Sequence, residues 1–526
     1  MRPALKNLLL LDSNAVPFDP STVFDYVFNP NDSAKITLDT GIASWLSSKG
    51  SATLAQATGA SQPSLQTANN NKKVAVLDGS NDGMALTGVT GASGAHHIIA
   101  VMAATFSSGA NKYFMDFQTG RLSIGNLNSG YISWVSGSTY NIVPPLWLGS
   151  ISGVTQANPA VVTTSSAHGL STGTFLFIDA VAGMTELNGR YYKITVITDT
   201  TFSLQTCAGV DVDSSAYTAY TSGGKLAQLA IYEWIFDTDG YVRVFYNGLQ
   251  MGSATSNETT YTDKALGGTM ALGKNYSSAG NYFPCALAYL GIKASGVLTA
   301  DERCNFINWA ANEWDISHHG EYYTYDGNLV PPVGTTVVGV LDGDSIKHQP
   351  TGYTAGLTYP GWWRINMGSS GNTITNRANV IPWNGLRMAM PSSVTKRILT
   401  TMVGANDANN SVPAATMEGY LQDYYTKATK TGWSYLLTTI TPNSNSTKNA
   451  IADSYNDWIV SNWESFVPSG SGRVLVDLQT ATTHYSTNDN SFMAAYPNDY
   501  TADGLHPAQP GATEITEAEQ AGLNTL

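Results

Sequence analysis

The chain has 526 residues, of which only 12% are charged, and its formal net charge is −13 at pH 7. A chain of this length exceeds one ordinary hydrophobic core, so we expect roughly two to four domains. The negative charge argues against a general binder of nucleic acid or of anionic membranes, because either would need a basic face. The 50 glycines, with many Ser, Thr and Asn residues, suit a β-rich and turn-rich architecture.

Neither the cysteines nor the N-terminal segment indicates a special compartment or an anchor. The cysteines Cys207, Cys285 and Cys304 are widely spaced and odd in number, which predicts buried free thiols rather than a disulfide framework or a metal site. Residues 1–17 are predicted to be an N-terminal arm. Its four-leucine run, Leu8 to Leu11, is too short for a signal-peptide core, and no apolar run approaches the ~20 residues that span a bilayer. We therefore expect no signal peptide, no transmembrane segment and no membrane insertion.

Residues 18–150 read as short strands separated by turns. The stretch Val76 to Leu86 predicts strand, tight turn and strand, and His97 to Ala103 predicts a buried strand. Short strands at this spacing suggest a sandwich. With Trp45 and Gln62-Pro63, the pattern resembles the laminin-G or concanavalin-like jelly roll of phage tail proteins.

The sandwich is predicted to be interrupted by residues 151–225. This piece begins Ile151 to Thr155 and includes Ser166 to Ser171. It resembles a small β insert, related to a half-domain of ubiquitin-activating enzymes, that recurs in phage tail proteins. The resemblance implies no ubiquitin chemistry, because the cysteine domain of those enzymes is absent.

The sandwich is predicted to resume over residues 226–316 and to end in a helix. Thr299 and Glu302 form a capping box for that helix. Residues 317–334, which include two histidines, several tyrosines and two prolines, are predicted to be a linker.

Residues 335–526 change to an alternation of strand-like runs and helical patterns. This alternation predicts an α/β unit with a mainly parallel sheet and helices on both sides, a three-layer arrangement. The predicted strands are Thr335 to Leu341, Arg397 to Val403, Trp433 to Ile440 and Arg473 to Leu478.

A serine follows the first of these strands, in Gly343-Asp344-Ser345. Such a tripeptide is also a common turn, so by itself it is weak evidence for a nucleophile. A serine hydroxyl needs a base to take its proton, and His506 with Asp503 three residues earlier could supply an imidazole and the carboxylate that orients it. Acyl transfer also needs N–H donors for the oxyanion, which a glycine amide and an Asn side chain can provide.

Four short blocks, in this order along the chain, resemble those of the SGNH hydrolases of the GDSL type: Gly343 to Ser345, Asn366 to Gly371, Gly404 to Asp407 and Asp503 to Pro507. The resemblance implies that Ser345 is the nucleophile, His506 the general base and Asp503 the residue that orients it. It also implies oxyanion donors from the Ser345 amide, the Gly371 amide and the Asn406 side chain, with the amide of Gly368 as the alternative to that of Gly371. No Gly-x-Ser-x-Gly elbow surrounds Ser345, which argues against the α/β-hydrolase fold.

No cofactor or metal is expected. The pairs His96-His97 and His318-His319 are sequence neighbours, which point to opposite faces if they lie on strands. The acidic turn Asp78 to Asp82 lacks the ligand pattern of a dedicated calcium loop. No substrate-binding residues are assigned, although four aromatic residues could either stack on a sugar ring or pack in the core: Tyr359, Trp362, Trp363 and Trp383.

The resemblances together imply a serine ester hydrolase that removes acetyl or other short acyl groups from a polysaccharide. Two alternatives stay open: a receptor-binding tail protein whose hydrolase domain mainly binds glycan, and a general short-chain or lipolytic esterase. By analogy with phage tail proteins, we expect a location in the virion tail or outside cells after lysis. The same analogy implies other tail proteins as partners and a homo-oligomer, a trimer.

Overall fold

The computed structural model describes residues 18–526 apart from 92–93, 106–107, 119–121, 130–131, 137, 144–148, 239–240, 252–258, 261–265, 278–279, 318–322, 325–327, 349–352, 379–385, 429–431 and 483–504. Four of the sequence predictions therefore lie outside the described residues: the N-terminal arm at 1–17, the pair His318-His319, the aromatic residue Trp383 and the triad acid Asp503.

The N-terminal part of the chain is built from short strands, as predicted. In chain order they are β1 (Tyr26–Phe28), β2 (Ile36–Leu38), β3 (Ile42–Leu46), β4 (Thr53–Ala55), β5 (Ser64–Thr67), β6 (Lys73–Asp78), β7 (Met84–Thr87), β8 (His96–Ala104), β9 (Ser108–Phe117), β10 (Leu122–Ser129), β11 (Ile132–Ser136) and β12 (Ser138–Val143).

The next strands belong to the predicted insert. They are β13 (Ile151–Val154), β14 (Val161–Thr164), β15 (Phe175–Ala182), β16 (Arg190–Thr198), β17 (Thr201–Gln205) and β18 (Ser222–Ala227), and they form a separate antiparallel sheet in the order β13-β14-β17-β16-β15-β18. This sheet has its own apolar core, and Phe177 and Tyr191 pack against the neighbouring sheet of the N-terminal part.

Six further strands complete the N-terminal part: β19 (Ala230–Phe236), β20 (Tyr241–Tyr246), β21 (Leu249–Met251), β22 (Thr259–Thr260), β23 (Met270–Leu272) and β24 (Pro284–Lys293). In the described ranges, two antiparallel sheets result. One has the order β21-β20-β19-β8-β24-β6-β5, with β1 on β24 and β22 on β20, and the other has the order β12-β11-β10-β9-β23-β7-β4-β3-β2.

The two sheets pack face to face on one apolar core. Trp45 and Phe114 come from one sheet, and Trp234 and Leu287 come from the other. Burial of such large apolar side chains is the main contribution to the free energy that holds two sheets together. A sandwich interrupted by a small β unit is therefore present, while its assignment to the laminin-G type stays a prediction.

The sandwich ends in helix α1 (Ala300–Glu313), which begins with the predicted capping box. Thr299 Oγ accepts from the Glu302 amide at 3.2 Å, and the Glu302 carboxylate accepts from the Thr299 amide at 2.8 Å. The end of the predicted linker is packed against the protein, because Leu329 and Val330 are buried against this helix. Short 3₁₀ turns elsewhere lie at Pro20–Thr22, Ser33–Lys35, Gly59–Ser61, Asn69–Asn71 and Thr185–Leu187.

The C-terminal part is an α/β unit. Its strands are β25 (Tyr323–Thr324), β26 (Val337–Gly343), β27 (Trp362–Asn366), β28 (Lys396–Met402), β29 (Ser434–Thr438) and β30 (Arg473–Val476), in the order β25-β27-β26-β28-β29-β30. Only β25 pairs antiparallel with its neighbour, so the described sheet is mainly parallel, as predicted. Strand β27 was missing from the sequence prediction.

Helices cover both faces of this sheet. They are α2 (Ser345–His348), α3 (Tyr353–Gly356), α4 (Ala405–Asn409), α5 (Ala414–Ala428), α6 (Ser446–Phe466), α7 (Leu478–Ala481) and α8 (Gln509–Leu523). Thr400 and Thr401 are consecutive on β28 and so point to opposite faces. The Thr400 hydroxyl contacts Lys347, which is paired with α8, and the Thr401 hydroxyl contacts Tyr424 of α5. Helix α8 and helix α5 therefore lie on opposite sides of the sheet.

The sandwich and the α/β unit share a packed junction. Leu249 of β21 is buried in the core of the α/β unit, and Ala389 is buried beside α1. The Ala389 amide donates to the Gly248 carbonyl at 2.8 Å, and the Ser392 hydroxyl donates to the Asp301 carboxylate at 2.9 Å.

Two predictions on buried residues have clear outcomes. No disulfide joins the cysteines: Cys285 and Cys304 are buried free thiols, as predicted, and Cys207 is partly buried. His96 and His97 have separate partners, the Ala294 carbonyl for the first and the Glu233 carboxylate for the second. In the part of the chain that the structure describes, no helix is both long and apolar enough to cross a membrane.

Candidate active site

The turn from β26 to α2 carries Ser345. Every residue of β26 is buried, and Ser345 is only 6% exposed. The Asp344 carboxylate accepts from the Ile346 amide at 3.0 Å, which fixes the first turn after the strand. A side chain at Gly343 would place its Cβ 2.2 Å from the Met402 carbonyl oxygen and 2.6 Å from Lys347 Cγ, so the tight turn requires glycine.

His506 reaches Ser345 from the segment that precedes α8. Its Nε2 lies 2.7 Å from Ser345 Oγ, although the two residues are 161 positions apart in sequence. Leu505 and Pro507 are buried on either side and hold the imidazole in place. An imidazole at this distance can accept the hydroxyl proton, which is the arrangement that activates a serine. The part assigned to Asp503 stays a prediction.

Asn406 lies at the start of α4, just after β28, the strand that pairs in parallel with β26. Its Nδ2 donates to the Asn372 carbonyl at 3.0 Å, which uses one amide hydrogen and orients the other. Asn372 follows Gly371, whose φ of +75° places it in the left-handed region that favours glycine. The third block of the sequence is thus hydrogen-bonded to the residue that follows the second block.

The choice between Gly368 and Gly371 can be argued from their amides. The Gly368 amide donates to Asn366 Oδ1 at 2.8 Å, so it is already engaged. A Cβ on Gly368 would also lie 2.7 Å from the His348 amide nitrogen, so this glycine serves the close packing of α2. The amides of Ser345 and Gly371 donate to no other residue among those described. Those two amides therefore remain available for a ligand.

Two carboxyl groups fix the loops around the site. Asp407 accepts from the Ile374 amide at 2.8 Å and so ties α4 to the helical turn at 374–378. Burial raises the pKa of Asp407 to about 6, against the opposing effect of the Ile374 amide and its own amide. Burial likewise raises the pKa of Asp344 to about 6; the amides of Ile346 and Ala405 oppose this, the Asp407 charge adds to it, and the His506 charge opposes it. Both groups are structural supports of the site.

Asp342, three residues before Ser345, belongs to a buried network. It forms an ion pair with Arg377, and the Tyr424 hydroxyl donates to its second oxygen at 2.7 Å. The Arg377 guanidinium also donates to the Met367 carbonyl. This network joins β26 to α5 and to the 374–378 turn, so Asp342 has a structural part rather than a place in the triad.

The aromatic residues proposed for sugar stacking lie elsewhere. Trp362 pairs with Val337 at the amino end of the parallel strands, whereas Ser345 follows their carboxyl end, roughly 20 Å away along the strand direction. Tyr359 stays with Trp362, with ring centroids 6.2 Å apart, and Trp363 is 4% exposed. Tyr359 and Trp362 therefore lie at the opposite end of the sheet from Ser345, and Trp363 packs in the core.

Sequence reasoning also missed a buried ion pair formed by Lys347, which lies two residues after Ser345. Lys347 Nζ lies 2.8 Å from the Glu519 carboxylate, and both side chains are fully buried. The signal was present in helix α8, where Glu519 lies four residues from Ile515 and four from Leu523, both fully buried. A carboxylate on the buried face of a helix indicates a charged or hydrogen-bonding partner. Within the described residues, no group of three or more His, Cys, Asp or Glu side chains could hold a metal ion.

Solved structures similar to this chain match about a third of it. A member of the lipolytic G-D-S-L family from Veillonella parvula covers 36% of this chain and 100% of its own, with 15% identity and a TM-score of 0.28. An acetylxylan esterase from Geobacillus stearothermophilus covers 35% of this chain and 93% of its own, with 18% identity and a TM-score of 0.27. A carbohydrate esterase family 3 structure from Talaromyces cellulolyticus covers 36% and 97%, with 19% identity and a TM-score of 0.27.

A different family matches the insert. Residues 157–229 match the model of the ubiquitin-activating enzyme E1 FCCH domain. Ubiquitin-like modifier-activating enzyme 6 from Mus musculus is 41% identical over 81 residues, which are 15% of this chain and 7% of that protein. The human enzyme is 38% identical over 88 residues, which are 16% of this chain and 8% of that protein. This chain thus spans less than a tenth of those relatives, and the match confirms the predicted resemblance of the insert to a domain of ubiquitin-activating enzymes.

Proposed function

We propose that this chain is a serine ester hydrolase. The observation that carries the proposal is the 2.7 Å contact between Ser345 Oγ and His506 Nε2. The donors that we assign to the oxyanion are the amides of Ser345 and Gly371, which donate to no other described residue. A nucleophile with its base, and two free donors next to it, are the minimum that acyl transfer requires.

In the first half of the reaction, Ser345 Oγ attacks the ester carbonyl carbon while His506 takes the hydroxyl proton. The carbonyl oxygen becomes an oxyanion, which the two amides and the Asn406 side chain stabilise. The intermediate then collapses, the alcohol leaves with the proton from His506, and the acyl group stays on Ser345. In the second half, water attacks the acyl group with His506 as base, and the carboxylic acid leaves.

The substrate we propose is a polysaccharide that carries acetyl or other short acyl esters. Support comes from the sandwich and its insert, which resemble parts of phage tail proteins and would bring the hydrolase to a glycan surface. The same proposal gives the protein a virion-tail or extracellular location and a homo-oligomeric form. Acetate release from a panel of acetylated polysaccharides, compared with turnover of long-chain esters, separates this substrate class from a lipolytic one.

The decisive test of the reaction is Ser345→Ala. We expect kcat on p-nitrophenyl acetate to fall by roughly 10³-fold or more, with little change in thermal stability because the hydroxyl contributes little to packing. Ser434→Ala is the matched control, since Ser434 is also buried but lies at the far end of strand β29. Turnover by Ser345→Ala at the rate of the control would rule out this nucleophile, and a chain that binds glycan without Ser345-dependent turnover would be a receptor-binding module.

A further inference from the structure

Both groups of the buried Lys347–Glu519 ion pair have further hydrogen-bond partners. Lys347 Nζ donates to both oxygens of Glu519, at 2.8 and 2.9 Å, and to Thr400 Oγ at 3.0 Å. The Thr438 hydroxyl donates to a Glu519 oxygen at 2.6 Å. The ammonium and the carboxylate are thus each held by the other and by a threonine from the parallel sheet.

The pair joins the two elements that carry the reactive groups. Lys347 is in α2, two residues after Ser345, and Glu519 is in α8, the helix that begins three residues after His506. Thr400 and Thr438 belong to β28 and β29, which are neighbouring strands of the parallel sheet. A movement of α2 against α8 would therefore break the ion pair as well as change the distance from Ser345 to His506.

The surrounding backbone makes room for the lysine. A Cβ on Gly343 would lie 2.6 Å from Lys347 Cγ, and a Cβ on Gly368 would lie 2.9 Å from Lys347 Cβ. Two glycines from two of the four sequence blocks thus leave the space that the lysine stem occupies.

Stability alone is a weak explanation for such a pair. Removing both charges from water costs about as much as their attraction returns, and apolar replacement of a buried pair is often neutral or stabilising. What an ion pair with fixed geometry adds is a single preferred alignment of the elements it joins.

We propose that Lys347 and Glu519 are positioning residues, which hold Ser345 Oγ and His506 Nε2 within hydrogen-bonding distance by aligning α2 with α8. The inference rests on the proposed function, because it assigns the pair a part in the activation of Ser345.

The first test replaces both charges in the full chain, with Lys347→Met and Glu519→Leu together. We expect a folded protein whose kcat on p-nitrophenyl acetate falls about 10- to 100-fold while KM stays nearly unchanged, because misplacement of reacting groups by about an ångström costs this much. Glu233→Gln is the control, since Glu233 is equally buried beside Arg303 but lies in the sandwich. It should leave kcat unchanged. A folded double variant with the kcat of the wild type would overturn the proposal.

A gentler pair of variants covers the case in which the double variant does not fold. Thr438→Val removes only the hydroxyl that orients Glu519 and should lower kcat by about three-fold or more, whereas Thr438→Ser should restore it. Equal kcat for the Val and Ser variants would overturn the proposal.

Labelling of Ser345 by a fluorophosphonate separates this inference from the proposed function, since the label needs the Ser345–His506 pair but no ester turnover. The labelling rate should fall in parallel with kcat in the double variant and in Thr438→Val; an unchanged labelling rate would overturn the proposal. Should the wild type label at Ser345 but hydrolyse no ester, the proposed function fails and the labelling rates still decide the positioning role. A wild type that neither labels nor turns over would overturn both.

Discussion

A hydroxyl 2.7 Å from an imidazole explains how Ser345 could lose its proton, but stabilisation of the oxyanion usually lowers the barrier to acyl transfer by more. The three candidate donors, in Ser345, Gly371 and Asn406, follow three separate strands, β26, β27 and β28. Asn406 is the only side chain among these three candidate donors, so it is the one that a substitution can remove.

We expect Asn406→Ala to lower kcat on p-nitrophenyl acetate by roughly 10²–10³-fold with a smaller change in KM, because the donor acts mainly on the transition state. Asn410→Ala, an exposed position at the end of the same helix, is the control and should behave as the wild type. Steady-state kinetics on both variants gives the answer. A change confined to KM would move Asn406 from the oxyanion site to substrate binding.

Asp407 provides a prediction on pH and stability. Its pKa of about 6 in the folded chain lies above the usual value of 3.8, so between these values the folded state binds more protons than the unfolded state. The stabilisation that protonated Asp407 contributes to the folded state is present in full below about pH 4. It is lost as the pH rises through 6. Asn cannot ionise and can still accept from the Ile374 amide. Asp407→Asn should therefore gain stability relative to the wild type, on the order of 2 kcal/mol, between pH 4 and pH 7.

Denaturant unfolding at several pH values measures this difference. Asp457→Asn, at an exposed position of α6, is the control and should keep the pH dependence of the wild type. If Asp407→Asn instead lost stability relative to the wild type as the pH rose, the buried carboxyl would be ionised and stabilising.

Residues whose positions follow from a local sequence pattern could be predicted. Contacts between residues far apart in the sequence could not. Ser345 and Asn406 each come shortly after a strand, as the apolar runs before them predicted. The Lys347–Glu519 pair spans 172 positions and the Asp342–Arg377 pair spans 35, and no local period reports such contacts. The aromatic side chain of Trp362 made it a candidate for sugar stacking. The sequence could not show that it lies at the end of the sheet away from Ser345.

Among the secondary-structure elements, the turn that joins β28 to α4 determines the position of Asn406, the candidate oxyanion donor. Gly404 connects them with a φ of +127°, and an added Cβ would lie 2.8 Å from the Tyr455 ring and 3.0 Å from Met417 Cε. Met417 of α5 and Tyr455 of α6 thus pack closely against the turn that precedes Asn406.

We expect Gly404→Ala to destabilise the protein by roughly 2–4 kcal/mol and to lower kcat, because both the backbone conformation and the space are unsuitable for a side chain. Gly419→Ala is the matched control: Gly419 is exposed in α5, with no atom within 4 Å of its added Cβ. That change should stabilise the protein by about 0.5–1 kcal/mol. Thermal unfolding and kinetics on the two variants test the pair, and similar stability for both would contradict the packing argument.

The strand and helix elements themselves were largely predictable because their periods are strong. The four strands predicted past Gly334 are β26, β28, β29 and β30, with ends shifted by a few residues. Strand β27 escaped prediction because Trp362 to Asn366 mixes aromatic, charged and apolar residues, so it shows neither a buried run nor an alternation. The pairing order of strands separated by hundreds of residues could not be read from any local pattern.

The sequence did not predict the junction between the sandwich and the α/β unit. Leu249 is only 3% exposed and lies in the core of the unit that carries Ser345. Leu249→Ala should cost about 2–5 kcal/mol of stability by leaving a cavity there. The junction therefore contributes to the stability of the α/β unit, which contains all four sequence blocks.

This division leads to a prediction on the two parts of the chain. A fragment that begins at residue 328 keeps the parallel sheet and every described residue near Ser345, and it loses the contacts of Leu249, Gly248 and Asp301. We expect the fragment to fold with a lower unfolding temperature and to hydrolyse p-nitrophenyl acetate with kcat within about three-fold of the full chain. Its deacetylation of intact polysaccharide should fall much further, because the lost part supplies substrate capture rather than chemistry.

Full-length Leu249→Ala separates the two effects, since it weakens the junction but keeps the sandwich and the insert. It should show the lower unfolding temperature of the fragment together with the polysaccharide activity of the wild type, measured as acetate release at the same enzyme concentration. If the fragment lost activity on both substrates to the same degree, the sandwich would help to build the active site. If it kept both, the sandwich would serve attachment to a partner other than the substrate, because capture of the glycan would then depend on the α/β unit alone.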